Sequence, residues 1–313
     1  MHIPDGMLSN ATLAATGCAS LGYVGYGVAW VRKNFDQRKV VLMAVTAALI
    51  FALQMLNFPV AGGTSGHFTG GALAAILLGP FAASIVMATV LLIQAVVFAD
   101  GGILALGANV LNMAVIAPMV AWVTWRIFLS FGDSRSLKII AAFVAAWLAL
   151  VASSLAAGLE IWLSGNAQIV IVLGAMGFWH ALIGIGEGLI TAGLVAYVLQ
   201  VRPDLLKNSA MQGSRSIRPL VVGFTVLGLI AIALSFAASN SPDGLEFVYF
   251  EQGIGAEFDE VAVISSPLPD YLIPGLANEK LAGILAGIVG LIVTGVLLYA
   301  VFSAVRKGDS GAN

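Results

Sequence analysis

The sequence predicts an all-α, polytopic membrane protein of about nine transmembrane helices whose N-terminus lies outside the cell. First, 60% of the 313 residues are hydrophobic and only 10% are charged, which leaves too little polar surface to cover a soluble globule. Second, apolar runs long enough to cross a bilayer recur along the whole chain. Third, Lys and Arg occur in clusters that can all lie on one side of a membrane.

Helical spans follow from length, since an apolar helix needs about 20 residues to cross the ~30 Å hydrocarbon core. We expect such helices near residues 8–31, 39–58, 103–128, 138–163, 170–200, 219–238 and 280–305. The apolar stretch 68–98 is too long for one straight span and contains Gly79-Pro80. We predict a broken pair there, roughly 68–79 and 81–98, the first helix being short with its ends buried in protein or in a wet cavity.

The basic residues set the orientation, because Lys and Arg accumulate on the cytoplasmic side. The clusters are Arg32, Lys33, Arg38 and Lys39; Arg126, Arg135 and Lys138; Arg202, Lys207, Arg215 and Arg218; and Arg306 and Lys307. All of them share one side only if residues 68–98 cross the membrane twice. This arrangement gives nine crossings and places the N-terminus, the loop 58–67 and Asp100 outside.

Two units are separated by the polar cytoplasmic linker 201–218. Residues 1–200 supply seven crossings, and residues 219–313 supply a hairpin of two helices with an acidic external segment, 239–279. The carboxylates of this segment are Asp243, Glu246, Glu251, Glu257, Asp259, Glu260, Asp270 and Glu279. Either they concentrate cations through their field, or the segment is acidic only because external loops lack Lys and Arg.

The first residues, MHIPDG, could form a metal site. If Met1 keeps a free amine, that nitrogen, the His2 amide nitrogen and His2 Nδ1 can close two fused chelate rings around one cation. Such a site needs a strongly polarising metal that prefers planar nitrogen coordination, as Cu(II) and Ni(II) do. His67, in a Gly-rich loop on the same face, could fill the fourth position. The alternative is a solvated terminal His2 and a loop-capping His67.

Further polar side chains are candidates for supporting or proton-relay roles. Asn109 and Asn112 share one helix face, and Ser65 precedes His67 by two residues. These side chains either make ordinary interhelical hydrogen bonds or accept the second ring N–H of His2 or His67. His180 and Glu187 lie two helical turns apart, and are either a buried structural pair or a metal-binding or proton-relay pair.

A seam of small residues runs along the second predicted span, where Ala44, Ala48 and Ala52 recur at intervals of four. Small residues allow another helix backbone to approach closely. The seam indicates either packing within the chain or a docking face for a partner membrane subunit, and the sequence leaves both open.

Four separated motifs occur in order: MHIPDGMLS, GGTSGHFTGGALAAILLGP, GANVLNMAVIAP and HALIGIGEGLIT. Together they resemble the substrate-capture, or M-type, component of nickel and cobalt energy-coupling factor transporters over roughly residues 1–200. The segment SPDGLEFV resembles the small N-type component, recognised by Pro-Asp-Gly-Leu-Glu, over roughly residues 219–305. The chain therefore resembles a fused M–N protein.

This resemblance implies a planar metal site formed by the Met1 amine, the His2 amide and Nδ1, and a His67 ring nitrogen. It implies Ni(II) or Co(II) as transported substrate, no organic cofactor, no enzymatic activity of this chain and no nucleic-acid partner. The expected partners are a coupling membrane protein and cytoplasmic ABC-type ATPases, in the cytoplasmic membrane of a prokaryote. Nickel is slightly favoured, because planar amide coordination suits Ni(II) and the affinity order places Ni(II) above Co(II).

Two other functions compete with this interpretation. A self-sufficient carrier would use the same metal site and draw on a proton gradient or membrane potential, with Glu187 and His180 as the relay. An intramembrane hydrolase is disfavoured, because the sequence lacks a Ser/His or a His-Glu-x-x-His arrangement. The sequence also lacks a Gly-rich phosphate-binding loop ending in Gly-Lys-Ser/Thr, so ATP-driven transport would need partner subunits.

Overall fold

The computed structural model describes residues 1–206, 216–255 and 263–310, with side chains of the last helix described as far as residue 304. Several predicted features lie outside this part of the chain. Lys207 and Arg215 of the third basic cluster and the carboxylates Glu257, Asp259 and Glu260 are among them, and for Arg306 and Lys307 only the backbone is described.

Helices make up most of the described chain. They are α1 Asn10–Asn34, α2 Gln37–Gln54, α3 Gly71–Leu78, α4 Pro80–Phe98, α5 Leu106–Ser130, α6 Arg135–Leu163, α7 Ile169–Val201, α8 Arg218–Leu234 and α9 Glu279–Ser310. Residues Val110–Ile116 of α5 are π-helical. Short helical turns follow α7 at Pro203–Leu206 and α8 at Ser235–Ala237, and others lie at Gly244–Glu251 and Pro269–Tyr271.

Seven of the described helices are long and apolar enough to cross a membrane, namely α2 and α4 to α9. The chain is therefore a multi-pass membrane protein. α1 has 25 residues but is less apolar than these seven, and α3 has only 8 residues. Nine crossings thus stay a prediction.

The break predicted at Gly79-Pro80 is confirmed. Gly79 has φ +80°, a conformation that ends α3, and Pro80 occupies the first turn of α4, where its missing N–H costs nothing. The predicted start at residue 68 was too early, because α3 begins only after Gly70, which has φ +82°.

The fold is mostly helical, as predicted, and a short β-hairpin is added to the helices. Strands β1 Asn57–Val60 and β2 Thr64–His67 pair antiparallel, with Asn57 opposite His67. Gly62 and Gly63 both have φ +91°, which the tight turn between the strands requires. The second predicted span, 39–58, ran into this hairpin because Phe58 continues the apolar run, whereas α2 ends at Gln54.

Loops that are distant in sequence meet at one end of the helical bundle, here called the site end. Main-chain hydrogen bonds join Gly102 N to Ile3 O at 2.9 Å, Ser65 N to Pro242 O at 2.8 Å and Ser239 N to Asn57 O at 2.7 Å. These hydrogen bonds therefore hold the N-terminus, the β-hairpin and the segment after α8 at the site end. α1 and α5 begin at this end, and α2 and α6 return to it. The basic connections 34–37 and 130–135 therefore lie at the opposite end.

The C-terminal hairpin of α8 and α9 packs on α2, along the predicted seam of alanines. A Cβ added at Gly228 would lie 3.5 Å from Ala52 Cβ, and one added at Gly295 would lie 3.4 Å from Ala48 Cβ and 3.6 Å from the Ala44 carbonyl oxygen. Contacts within the chain therefore involve all three alanines. These contacts do not test a partner-docking face, which stays a prediction.

We expect Gly290→Ala to loosen this packing, because the added methyl group would overlap the Phe51 ring and lie 2.9 Å from the Phe98 ring. Overpacking of this kind costs about 1–3 kcal/mol, measurable as a lower midpoint of thermal unfolding in detergent. Gly193→Ala on α7 is the control, since nothing lies within 4 Å of its added Cβ. Equal midpoints for the two variants would contradict the predicted packing.

Candidate metal site

The N-terminus folds into the protein instead of extending into solvent, and Met1 is only 4% exposed. Asn109 fixes the main chain of Ile3 on both sides: Ile3 N donates to Asn109 Oδ1 at 2.8 Å, and Asn109 Nδ2 donates to Ile3 O at 3.0 Å. The Asp5 carboxylate accepts from Ile103 N at 2.9 Å and Ala105 N at 3.0 Å. These bonds hold residues 1–5 as a strap against the start of α5.

The terminal amine lies between the two units of the chain. It forms an ion pair with the Asp243 carboxylate and lies 3.4 Å from His67 Nε2. Two nitrogens that bind one ion at about 2 Å each can be at most about 4 Å apart. The amine and His67 Nε2 are therefore close enough to share a cation.

His2 stacks on His67, with ring centroids 5.4 Å apart and an angle of 11° between the planes. Its Nδ1 lies 3.0 Å from Asp100 Oδ1, and its Nε2 is buried with no hydrogen-bond partner among the described residues. The sequence predicted Nδ1 as a metal-binding atom. In this structure Nδ1 points instead to a carboxylate.

Charges around the site determine which groups are ionised. Burial lowers the pKa of His67, and the positive terminal amine and His2 lower it further. The carboxylates of Asp243 and Asp100 oppose this shift, and the resulting pKa is about 3. The His67 ring is therefore neutral at neutral pH, with a lone pair available to a metal. Burial alone would raise the pKa of Asp243, but the adjacent terminal ammonium holds that pKa below its ordinary value.

The C-terminal unit contributes one side of the site through its motif Pro-Asp-Gly-Leu-Glu. Asp243 Oδ1 caps a short helical turn by accepting from Leu245 N at 2.8 Å and Glu246 N at 3.0 Å, while Oδ2 faces the Met1 amine. A Cβ at Gly244 would lie 2.8–2.9 Å from the His180 ring. Only glycine therefore allows this turn to approach α7 so closely.

Sequence reasoning missed Asp243, Asp100 and Tyr271 as site residues. Tyr271 donates its hydroxyl hydrogen to Asp100 Oδ2 and accepts from Gln94 Nε2 at 3.1 Å. Two signals could have found the acids: Asp243 lies within the recognised motif, and Asp100 is an acid directly after a predicted span on the external face. The sequence offers no such signal for Tyr271.

The predicted supporting residues have partners other than the histidine rings. The Ser65 hydroxyl donates to Ser241 O at 2.8 Å, Asn109 holds Ile3, and Asn112 Nδ2 donates to Glu160 Oε2 at 2.8 Å. Accepting a ring N–H is therefore not what these side chains do here. Asp100 occupies that position at His2.

His180 and Glu187 do not form the buried pair that their spacing suggested, since each has its own partners. His180 Nδ1 lies 2.9 Å from Met176 O, and the ring borders a small cavity with Met1, His67 and Asp243. Glu187 accepts from Thr69 N at 2.7 Å, Thr69 Oγ1 at 2.8 Å and Gly70 N at 3.1 Å. Glu187 therefore anchors the chain directly after His67.

Within the described ranges, no group of three or more His, Cys, Asp or Glu side chains could hold a metal ion. The candidate ligands at the N-terminus differ from such a group, because the terminal amine and the His2 amide are main-chain atoms.

Comparisons with known proteins agree with this architecture. Residues 2–205 match the CbiM family, described as a cobalt uptake substrate-specific transmembrane region, and residues 218–307 match the PDGLE domain. A relative from Archaeoglobus fulgidus, provisionally named a fused nickel transport protein NikMN, is 40% identical over 96% of this chain and 97% of its own length. The fused nickel transport protein NikMN of Rhodobacter capsulatus is 32% identical over 98% of this chain and 99% of its own length.

A solved structure has the same fold over the first unit. The crystal structure of a transition metal transporter superposes with a TM-score of 0.60 at 37% identity, covering 68% of this chain and all of that one. The helical bundle with its buried N-terminus thus defines a multi-pass membrane protein of the transporter class. The chain belongs to the CbiM family, with an M-type component fused to an N-type component.

We expect Glu187→Gln to loosen the chain after His67. The Glu187 carboxylate accepts hydrogen bonds from Thr69 and Gly70 with both oxygens, whereas a Gln side chain has only one oxygen and would place an N–H group opposite one of these donors. Leaving a buried donor unsatisfied costs about 1–3 kcal/mol. Hydrogen exchange at the Thr69 and Gly70 amides should become faster. Glu160→Gln is the control, since the Asn112 amide can turn over and keep its hydrogen bond. Unchanged exchange in Glu187→Gln would contradict the anchoring role.

Proposed function

We propose that this chain is the substrate-specific subunit of a metal uptake transporter and captures Ni(II) or Co(II) at Met1, His2 and His67. The observation that carries the proposal is the buried terminal amine, 3.4 Å from His67 Nε2 and adjacent to the His2 ring. Relatives over the full length are named nickel transport proteins, and a relative of the first unit from Kyrpidia tusciae is named the cobalt transport protein CbiM.

The ligand set favours particular metals. An amine, a deprotonated amide and two imidazole rings are all nitrogen donors, which suit planar Ni(II) better than Mg(II) or Ca(II). Nickel is favoured over cobalt on the affinity order of such sites. Asp243 and Asp100 would offset the positive charge of the bound ion.

The site end is proposed to face outside the cell, and the basic connections to face the cytoplasm. This orientation includes nine crossings, with α1 and the short α3 counted among them. The M-type unit would comprise residues 1–200, the linker 201–218, and the N-type unit 219–313. Substrate would then enter at the external face of the cytoplasmic membrane of a prokaryote.

Energy for uptake is proposed to come from partner subunits: a coupling membrane protein and ABC-type ATPases, as in energy-coupling factor transporters. The chain has no phosphate-binding loop of its own. The alternative, a self-sufficient carrier with Glu187 and His180 as relay, is less well supported, because both oxygens of Glu187 already accept hydrogen bonds from Thr69 and Gly70.

Adding Gly-Ser-Gly ahead of Met1 should abolish high-affinity metal binding, because the terminal amine becomes an amide while every side chain remains. Loss of a residue that only supports a metal ligand usually lowers metal affinity about 10–100-fold. Since the amine is itself a proposed ligand, we expect a larger fall in Ni(II) affinity, measured by calorimetry. His67→Ala should show a similar loss.

The same extension placed after Asn313 is the matched control and should leave binding unchanged. Thermal unfolding without metal would check that the N-terminal extension still folds. If the N-terminally extended protein folds and binds Ni(II) like the native chain, the proposed site is wrong.

Uptake should depend on partners. In liposomes, the chain alone should bind nickel without accumulating it under a proton gradient, and accumulation should appear only with the coupling protein, the ATPases and ATP. Accumulation by the chain alone would favour the carrier alternative. A His180→Ala variant would then test the relay.

A further inference from the structure

His2 has an unsatisfied atom in this structure. Its Nδ1 donates toward Asp100 Oδ1 at 3.0 Å, but its Nε2 is buried without a hydrogen-bond partner in the described part of the chain. A buried polar nitrogen that lacks a partner is unfavourable. The ring therefore has one nitrogen with a hydrogen-bond partner and one without.

The proposed chelate needs Nδ1 to leave Asp100 and bind the metal, which would free Asp100 to accept from Nε2. Only Nδ1 is close enough to the His2 main chain to close a small ring with its own amide nitrogen. Half a turn about the Cβ–Cγ bond would take Nδ1 away from Asp100 and carry Nε2 to the side that faces Asp100. Histidine χ2 is a broad, roughly two-fold torsion, so this turn is accessible.

Asp100 is held in place independently of His2. Its second oxygen, Oδ2, accepts the hydroxyl hydrogen of Tyr271, and that hydroxyl in turn accepts from Gln94 Nε2 at 3.1 Å. The Tyr271 ring stacks on Phe98 with centroids 4.7 Å apart. The carboxylate is thus fixed by a chain of contacts that leads away from the metal site.

Tyr271 is itself held in an unusual conformation. Its φ is +57°, which is rare for a bulky side chain and persists only where surrounding contacts enforce it. Because Tyr271 belongs to the external segment of the C-terminal unit, that unit reaches His2 through Asp100.

We propose that Asp100 and Tyr271 are positioning residues of the metal site. Asp100 accepts the Nδ1–H of His2 in the metal-free chain and the Nε2–H in the loaded chain, and the Tyr271 hydroxyl keeps the carboxylate in place while the ring turns. The loaded arrangement is the carboxylate–histidine–metal geometry that orients many metal-bound imidazoles. This inference rests on the proposed function.

The first test follows the ring protons in the full-length protein. With ¹⁵N-labelled histidine, NMR should find the His2 proton on Nδ1 without metal. After loading with nickel chloride, whose Ni(II) is diamagnetic once it is bound in a planar nitrogen site, the proton should be on Nε2, with Nδ1 bound to the metal. A loaded protein that keeps the proton on Nδ1 would overturn the inference.

The second test uses substitutions that change the hydrogen bonds around Asp100. Tyr271→Phe retains the ring and should weaken Ni(II) binding about 10-fold, and Asp100→Asn should weaken it about 10–100-fold. The visible absorption band of the Ni(II)-saturated Tyr271→Phe protein should also shift, because the imidazole is less well oriented. A purely structural role would lower the unfolding temperature without moving this band.

Tyr23→Phe is the matched control, since that hydroxyl contacts Met119 Sδ at 2.8 Å on α5, and it should bind like the native chain. If the native chain binds nickel, and the Tyr271→Phe protein binds it with the same affinity and an unshifted absorption band, the positioning role is wrong and the proposed function stands. Failure of the native chain to bind Ni(II) or Co(II) would overturn the proposed function as well, so the two failures are distinguishable.

Discussion

The buried terminal amine is the constraint on which the site end of this protein depends. A charged amine is costly to bury unless it is paired, and Met1 is 4% exposed. Its partners are Asp243, in the C-terminal unit, and His67, on the β-hairpin. Three segments that are remote in sequence must therefore meet at one atom, and the surrounding hydrogen bonds fix each of them there.

Each segment is anchored by buried polar side chains as well as by packing. Asn109 and Asp5 hold the strap, and Glu187 holds the chain after His67. The segment bearing Asp243 pairs with β2 through Ser65. Hydrophobic packing alone does not fix the exact position of each segment in a largely apolar protein. These directional hydrogen bonds do so. The packing of α8 and α9 on α2 then fixes where the C-terminal segment can reach.

Sequence reasoning recovered the features that local pattern determines. Apolar length predicted the helices, and Gly79-Pro80 predicted the break. The metal site at His2 and its adjacent main-chain nitrogens stays a prediction. The contacts of Asp243 with Met1 and of Tyr271 with Asp100 join residues 242 and 171 positions apart, so no local spacing reveals them. Glu187 was paired with His180 because they share a helix face, but its partners are mainly backbone amides, which leave no mark in the sequence.

Two nitrogens that the proposed chelate requires are paired with carboxylates, the amine with Asp243 and His2 Nδ1 with Asp100. Loading would then exchange protons for the cation: apart from the half turn of the His2 ring, the amine and His67 Nε2 already lie 3.4 Å apart, close enough to share the ion. Such preorganisation reduces the ordering cost of binding. In the proposed complex the same carboxylates would stay beside the bound ion and balance its charge. The acids that pair with the terminal amine and with His2 are thus also the groups that would make a charged complex tolerable in a buried position.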